Sequence, residues 1–310
     1  MKSLLLNGRP AALAGVLAFA VALGGAGGVA TAQNSAPAQV SPNLTGIAHV
    51  AIRVADLEKS REFFRHLGYE EAFAMNKGGS PTEAFFKIND RQFIELYPRH
   101  GDSEAVGFMH ICFEAGDINA VYRDYVNHGL QPSAVKRAGA GNLLFTLQGP
   151  DEPPPVDGLR RTAAQNIEYT QYMPGSKHTL DRGQHLGPDR VADAIAGAGI
   201  PMQDVSAATA FYEQKLGFQR AAHPLEHGVA ALSLPGTPDE RVELRPPAGT
   251  AEGSTALPFR IFFSVPSLKE AEAKLRTMNI PTEKRPSSLV VHDPDGNEII
   301  FIVDKGAEAR

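Results

Sequence analysis

Cysteine occurs once in the 310 residues, at Cys112, so no intrachain disulfide can form and packing alone must hold the fold. Tryptophan is absent. Positive charge is not in excess: 30 Lys and Arg stand against 35 Asp and Glu, a formal net charge of −5, which argues against a nucleic-acid partner. Beyond residue 32 no apolar run is long enough to span a bilayer. The one long apolar run is N-terminal. Lys2 and Arg9 give a basic start, Ala11 to Val29 is rich in Ala, Leu and Gly, and Ala30-Thr31-Ala32 reads as a cleavage signal. Residues 1–32 are therefore expected to be a signal peptide, and the mature chain to be periplasmic or secreted, with no membrane partner once the signal is removed. A spanning anchor is the alternative, disfavoured by the five glycines from Gly15 to Gly28 and by the small-residue ending.

The rest of the chain is long enough for two ordinary domains, and an internal repeat says how they are built. Asp56 opens an amphipathic stretch with Phe63, Phe64 and Leu67 on one stripe and Gly68 at its end. Asp204 opens another with Phe211, Tyr212, Leu216 and Gly217 at matching places. Each reads as a helix with an Asp cap and a left-handed Gly terminator. Weaker copies open at Asp117 and at Ser267, where Glu270 is placed to complete a capping box. Short strand-like runs follow each helix, for example 84–88 and 93–97 across an Asn89-Asp90 turn. The unit is β-α-β-β-β, written four times. A Pro-rich insertion at 149–158 and a polar stretch from Pro174 to Asp189 separate the first two units from the last two.

This pattern resembles the vicinal oxygen chelate superfamily, which includes glyoxalase I, extradiol dioxygenases and bleomycin- and fosfomycin-resistance proteins. The two helix stretches and the closing run 292–301 carry the resemblance, which covers nearly all of residues 45–304. It implies an α+β fold of four βαβββ units paired into two half-open barrels. The expected organisation is a linker at 33–44, a metal-bearing domain at 45–174, an interdomain linker at 175–190 and a second domain at 191–305. It also implies metal ligands on the first and fourth strands of each unit. His49 and His110 match the first-strand positions, each seven residues before its helix cap, and Glu95 and Glu168 match the fourth-strand positions. Two imidazoles and two carboxylates suit one divalent metal: Zn, Ni, Fe(II) or Mn. Glu168 is the ligand whose register is least secure, because the insertion precedes it.

In the second half Glu243 keeps its place, but the other three positions are Gly197, Arg260 and Ile300, so this half is expected to carry no metal and to pair Arg260 with Glu243 instead. Strand periodicity puts Arg53 on the face of His49, where it can hold a substrate carboxylate or form a salt bridge at the mouth. Cys112 shares the face of His110. It is a substrate-binding candidate, although burial as a packing residue is the commoner fate of a free cysteine. Tyr97 and Tyr172 are expected near the mouth as packing. His178 and His185, in the polar stretch, are expected to be solvated, with proton transfer to the pocket as the sharper alternative.

The function implied is a glyoxalase-like isomerase or lyase that chelates a small substrate through two adjacent oxygens, with Glu168 as the general base. An Fe(II) extradiol-type dioxygenase and a non-catalytic small-molecule or metal binder remain open. The expected partner is a small-molecule substrate, and association into a homodimer is left open.

Overall fold

The computed structural model describes residues 42–101, 104–150, 166–221, 228–246 and 259–303. The expected signal peptide, most of the 33–44 linker and nearly all of the Pro-rich insertion lie outside these residues. The first unit comprises β1 (Leu44–Val54), α1 (Leu57–His66), β2 (Glu70–Lys77), β3 (Ser80–Lys87) and β4 (Phe93–Pro98). The second comprises β5 (Gly107–Ala115), α2 (Ile118–Asn127), β6 (Lys136–Arg137), β7 (Leu143–Gln148) and β8 (Asn166–Gln171). A short helix, α3 (Lys177–Leu180), follows. The third unit is β9 (Ala194–Pro201), α4 (Val205–Leu216), β10 (Gln219–Arg220), β11 (Ala230–Leu234) and β12 (Thr237–Arg245). The fourth is β13 (Arg260–Val265), α5 (Leu268–Thr277), β14 (Glu283–Arg285), β15 (Ser288–His292) and β16 (Glu298–Val303).

The local signals act as their chemistry requires. The Asp56 carboxylate accepts from the backbone N–H groups of Glu58 and Lys59, two donors that a helix start leaves without partners. Asp117, Asp204 and Ser267 cap the other three long helices. Gly217 ends α4 at φ +78°, and Gly68 follows α1 at φ +84°. A side chain at Gly68 would also strike the backbone of Arg190 at 2.7 Å, so glycine there serves both turn and packing.

Two units pair into each sheet. The strand orders are β2-β3-β4-β1-β5-β8-β7-β6 and β10-β11-β12-β9-β13-β16-β15-β14, the same topology written twice. In each sheet the first strands of two units run antiparallel at the centre, and each is flanked by its own fourth strand in parallel. The result is two curled eight-stranded sheets, the paired half-barrels expected from the repeat.

Their helix-bearing faces share one apolar core. Phe64, Tyr125 and Phe145 from the first half and Tyr212, Phe263 and Phe301 from the second belong to a single buried cluster. Tyr69 stacks on Phe263 with centroids 5.7 Å apart. Burying each such side chain contributes roughly 1.5–3 kcal/mol, so the two lobes stabilise one another. Gln92 adds a polar stitch: its amide accepts from Ile195 N at 2.8 Å and donates to Ile195 O at 3.0 Å. Each concave face keeps a smaller cluster of its own. Ala48, Phe85, Phe93, Cys112 and Tyr172 form one, and Phe262, Val290 and Ile300 the other. Among the described residues no helix is long and apolar enough to cross a membrane.

Candidate metal centre

The concave face of the first sheet gathers His49, Glu95, His110 and Glu168. A register shift between Ile47 and His49 brings both Ala48 and His49 onto this face, with Val50 returning to the helix side. His49 then stands opposite Cys112, while Cys112 stands opposite Glu168 on its other side. Ala51 lies between Glu95 on β4 and His110 on β5, leaving the space above it to their side chains.

The donor atoms converge. His49 Nε2 lies 3.0 Å from His110 Nε2 and 3.5 Å from Glu168 Oε1. His49 Nδ1 lies 3.1 Å from Glu95 Oε1, and His110 Nε2 lies 4.0 Å from Glu95 Oε2. Ligand atoms about 2.1 Å from one shared ion stand roughly 3.0–3.5 Å from each other, and an imidazole gives one nitrogen to a given ion; the two pairs that share His49 Nε2 have this spacing. His49 Nδ1 has no hydrogen-bond partner despite its 3.1 Å approach to Glu95, so that approach is off the line of an N–H···O bond. A buried imidazole nitrogen left in this state costs free energy.

Electrostatics favour the same occupant. His49 is 3 % exposed and His110 7 %, and burial holds both below the usual histidine range, His110 at about 4. The neighbouring His110 further depresses His49. Both rings are therefore neutral near pH 7, the form that ligates. Burial pushes Glu95 well above the usual carboxylate range, and Glu168 and Glu83 add to the effect. Burial likewise raises Glu168 to about 7. Two buried carboxylates beside two neutral imidazoles lack positive charge, and a divalent ion would supply it. The donor set fits.

Two overlapping three-residue groups meet the spacing for an ion: His49, Glu95 and His110, and His49, Cys112 and Glu168. Glu168, whose register the sequence leaves least secure, is brought to the cluster. Cys112 is fully buried, its thiol raised by burial; its Sγ lies 3.9 Å from Phe113 O and within 4.8 Å of a Glu168 carboxylate oxygen. Arg53 lies on the expected face, but its Nε is 3.6 Å from a Glu104 carboxylate oxygen, the mouth salt bridge of the two sequence readings. Tyr97 donates to Glu95 Oε2 at 3.0 Å, a role the sequence did not reveal.

The polar stretch after β8 departs from expectation. His178 is not solvated: it is 3 % exposed and stacks on Tyr172 at 4.4 Å, edge-on to Phe73, Phe85 and Phe93. Burial lowers it to about 4, and neither ring nitrogen has a hydrogen-bond partner. The cause lies one turn later, where the wholly buried Lys87 ammonium binds the Asp181 carboxylate at 2.9 Å and also its backbone oxygen. That pair pins α3 against the concave face. His185 is exposed, as expected, and binds Asp181 at 2.5 Å.

On the second concave face Gly197, Glu243, Arg260 and Ile300 occupy the four matching positions. Ile300 packs with Phe262 and Val290. Arg260 engages Glu298, its direct neighbour across the parallel β13–β16 ladder, and Glu243 lies 3.3 Å from Arg241 Nε. Both groups of the expected Arg260–Glu243 pair thus also have a partner on their own or the adjoining strand.

Comparison with known proteins agrees with this architecture. Residues 46–152 match the model of the Glyoxalase/Bleomycin resistance protein/Dioxygenase superfamily. Human mitochondrial methylmalonyl-CoA epimerase is 34% identical over 94 residues, covering 26% of this chain and 53% of the epimerase. The chain thus spans about half the length of that relative. Among solved structures, the Mn(II)-bound glyoxalase from Novosphingobium aromaticivorans superimposes with a TM-score of 0.60 at 15% identity, covering 84% of this chain and 83% of that one. A single-residue variant of homoprotocatechuate 2,3-dioxygenase from B. fuscum gives 0.60 at 14% identity, over 86% and 73%. At such identities these two likenesses concern the fold.

Proposed function

We propose, on the premise that residues 46–152 form a domain of the Glyoxalase/Bleomycin resistance protein/Dioxygenase superfamily, that this chain is an exported metal-dependent isomerase or lyase acting on a small substrate with two adjacent oxygens. The observation that carries the reading is the convergence of His49, Glu95, His110 and Glu168 on one buried face. These four residues would hold one divalent ion, which when bound supplies Lewis-acid stabilisation of negative charge on a substrate oxygen. Export rests on the basic start, apolar run and Ala30-Thr31-Ala32 of the leader.

The chain's own groups supply the rest. Glu168 Oε1 faces the cluster from β8 and is the group to take a proton from the carbon next to a substrate carbonyl and return it, as a general base and then acid. His49 and His110, neutral and buried, cannot compete for that proton near pH 7. Phe93, Phe85 and Tyr172 make the neighbouring surface apolar and keep bulk water from that side. A substrate carboxylate at the mouth could bind Arg53 by displacing Glu104. The 34% identity to an epimerase over 94 residues supports proton transfer at carbon over other chemistry.

The test is metal analysis of the purified chain, followed by solvent-deuterium exchange into α-hydroxycarbonyl compounds. Bound metal with exchange that Glu168→Gln abolishes supports the reading. Stoichiometric iron with oxygen uptake on catechols would point instead to a dioxygenase. Metal without either activity would point to a binding protein.

A further inference from the structure

We propose that Tyr97 and Cys112 are positioning residues, each tethering one carboxylate of the cluster by a hydrogen bond, Tyr97 to Glu95 and Cys112 to Glu168. The inference rests on the reading of the cluster as a metal centre. Tyr97 Oη donates to Glu95 Oε2 at 3.0 Å, which leaves Glu95 Oε1 turned to His49 Nδ1 at 3.1 Å. The Tyr97 ring also meets the His110 imidazole edge-on, with centroids 6.2 Å apart, so one side chain restrains two ligands on neighbouring elements. The hydroxyl has a single proton and gives it to Glu95, so a further carboxyl can join it only as a donor. On the other side Cys112 stands directly opposite Glu168 in the parallel ladder, its Sγ within 4.8 Å of a carboxylate oxygen and 3.9 Å from Phe113 O, so a small turn of the thiol directs its proton to Glu168.

The second lobe shows what happens when an acceptor is lost. At the position of Glu168 stands Ile300, and its ladder partner, the counterpart of Cys112, is Phe262. Donor and acceptor are absent together there. A thiol kept merely to fill space has no reason to track the carboxylate. Outer hydrogen bonds of this kind fix ligand orientation, and losing one typically costs 10–100-fold in metal affinity.

The experiment titrates the full chain with Zn(II) against a competing chelator and records the absorption spectrum of the Co(II) form. Tyr97→Phe should weaken Zn(II) binding about 10- to 100-fold and change the Co(II) spectrum, while leaving the thermal unfolding of the metal-free chain near that of wild type. Cys112→Ala should weaken binding by a smaller factor, the S–H group being a weak donor, and Cys112→Ser should restore it. Unchanged affinity and spectrum in Tyr97→Phe would overturn the tether at Glu95. Equal losses in Cys112→Ala and Cys112→Ser, or a sulfur-to-cobalt charge-transfer band in wild type, would overturn the tether at Glu168. If wild type binds neither metal, the metal centre itself is refuted. If His110→Ala abolishes binding while Tyr97→Phe and Cys112→Ala do not weaken it, only the present proposal fails.

Discussion

The two concave faces share one strand order and one register, including the shift that follows Ile47 in the first and Ile195 in the second, yet they hold opposite chemistry. In the first, buried imidazoles and carboxylates face each other with too little positive charge among them. In the second, glycine replaces one ligand, arginine a second and isoleucine a third, and Arg241 stands 3.3 Å from the one carboxylate that remains, Glu243. Fold alone therefore does not demand polar groups at these positions, because the second sheet closes without them. Burying four unpaired ligands is unfavourable unless something occupies the space between them. The comparison singles out the first face as the candidate site and the second as its structural counterpart.

The largest effect should come from breaking the first face at a single donor. His110→Ala should reduce retained metal to near zero by elemental analysis while the chain stays folded, since the fold does not depend on that imidazole. Arg260→Ala, at the matching strand position, should leave metal content unchanged. Equal metal loss in both variants would erase the distinction between the lobes. The reverse operation should also fail for a steric reason. A Cβ at Gly197 would fall 2.4 Å from the Arg241 carbonyl oxygen, so Gly197→His should cost about 1–3 kcal/mol in denaturant unfolding and gain no metal. A stable, metal-binding Gly197→His chain would show that the second face is merely unoccupied by ligands, not closed to them.

Much of this contrast was legible in the chain. Asp caps, glycine terminators and the repeated aromatic stripe announced four equivalent units, because those signals act within about a dozen residues. The ligand strands followed from the repeat and the resemblance, and Glu168 came into register despite the insertion before it. What escaped detection depends on contacts far apart in sequence. Lys87 and Asp181 are 94 residues apart, and nothing near either one signals that their pairing buries α3 and His178. Tyr97 lies only two residues from Glu95, which in a flat strand places it on the same face. Only the curl of the sheet brings its hydroxyl to the carboxylate. The Arg260–Glu243 expectation left out Glu298 and Arg241, partners whose reach could not be judged before the ladders were known.

His178 gives the first lobe an acid sensitivity that the second concave cluster, formed by Phe262, Val290 and Ile300, does not have. Burial lowers its folded-state value from 6.5 to about 4, so between those limits the unfolded chain binds the extra proton. Stability therefore falls as pH drops through that window, by as much as about 3 kcal/mol for one such group. His178→Phe should make the acid limb of urea unfolding between pH 6.5 and pH 4 shallower in the metal-free chain, leaving the share that His49 and His110 contribute. An equally steep limb in the variant would mean that the ring is protonated without penalty where it sits.

The smallest expected effect lies where the lobes meet. Glu240, on β12 of the second lobe, accepts from Ile47 N, two residues before His49, and contacts Gln92 Nε2 at 3.4 Å. Burial raises its carboxyl from 4.5 to about 7, with Arg91 partly opposing. The sign is opposite to that of His178. Between 4.5 and 7 the folded chain holds the extra proton, so this group's contribution to stability is present at low pH and fades as pH rises through 7. Glu240→Gln keeps an acceptor for Ile47 N and removes the titration, but loses the Gln92 contact, worth about 1 kcal/mol or less at that length. The variant should therefore be less stable than wild type at pH 5, by about 1 kcal/mol or less, and more stable at pH 8, where the buried charge of wild type outweighs that contact, so the two stability curves cross. Parallel curves would show that Glu240 keeps its charge at the interface at both pH values, with Arg91 compensating for burial.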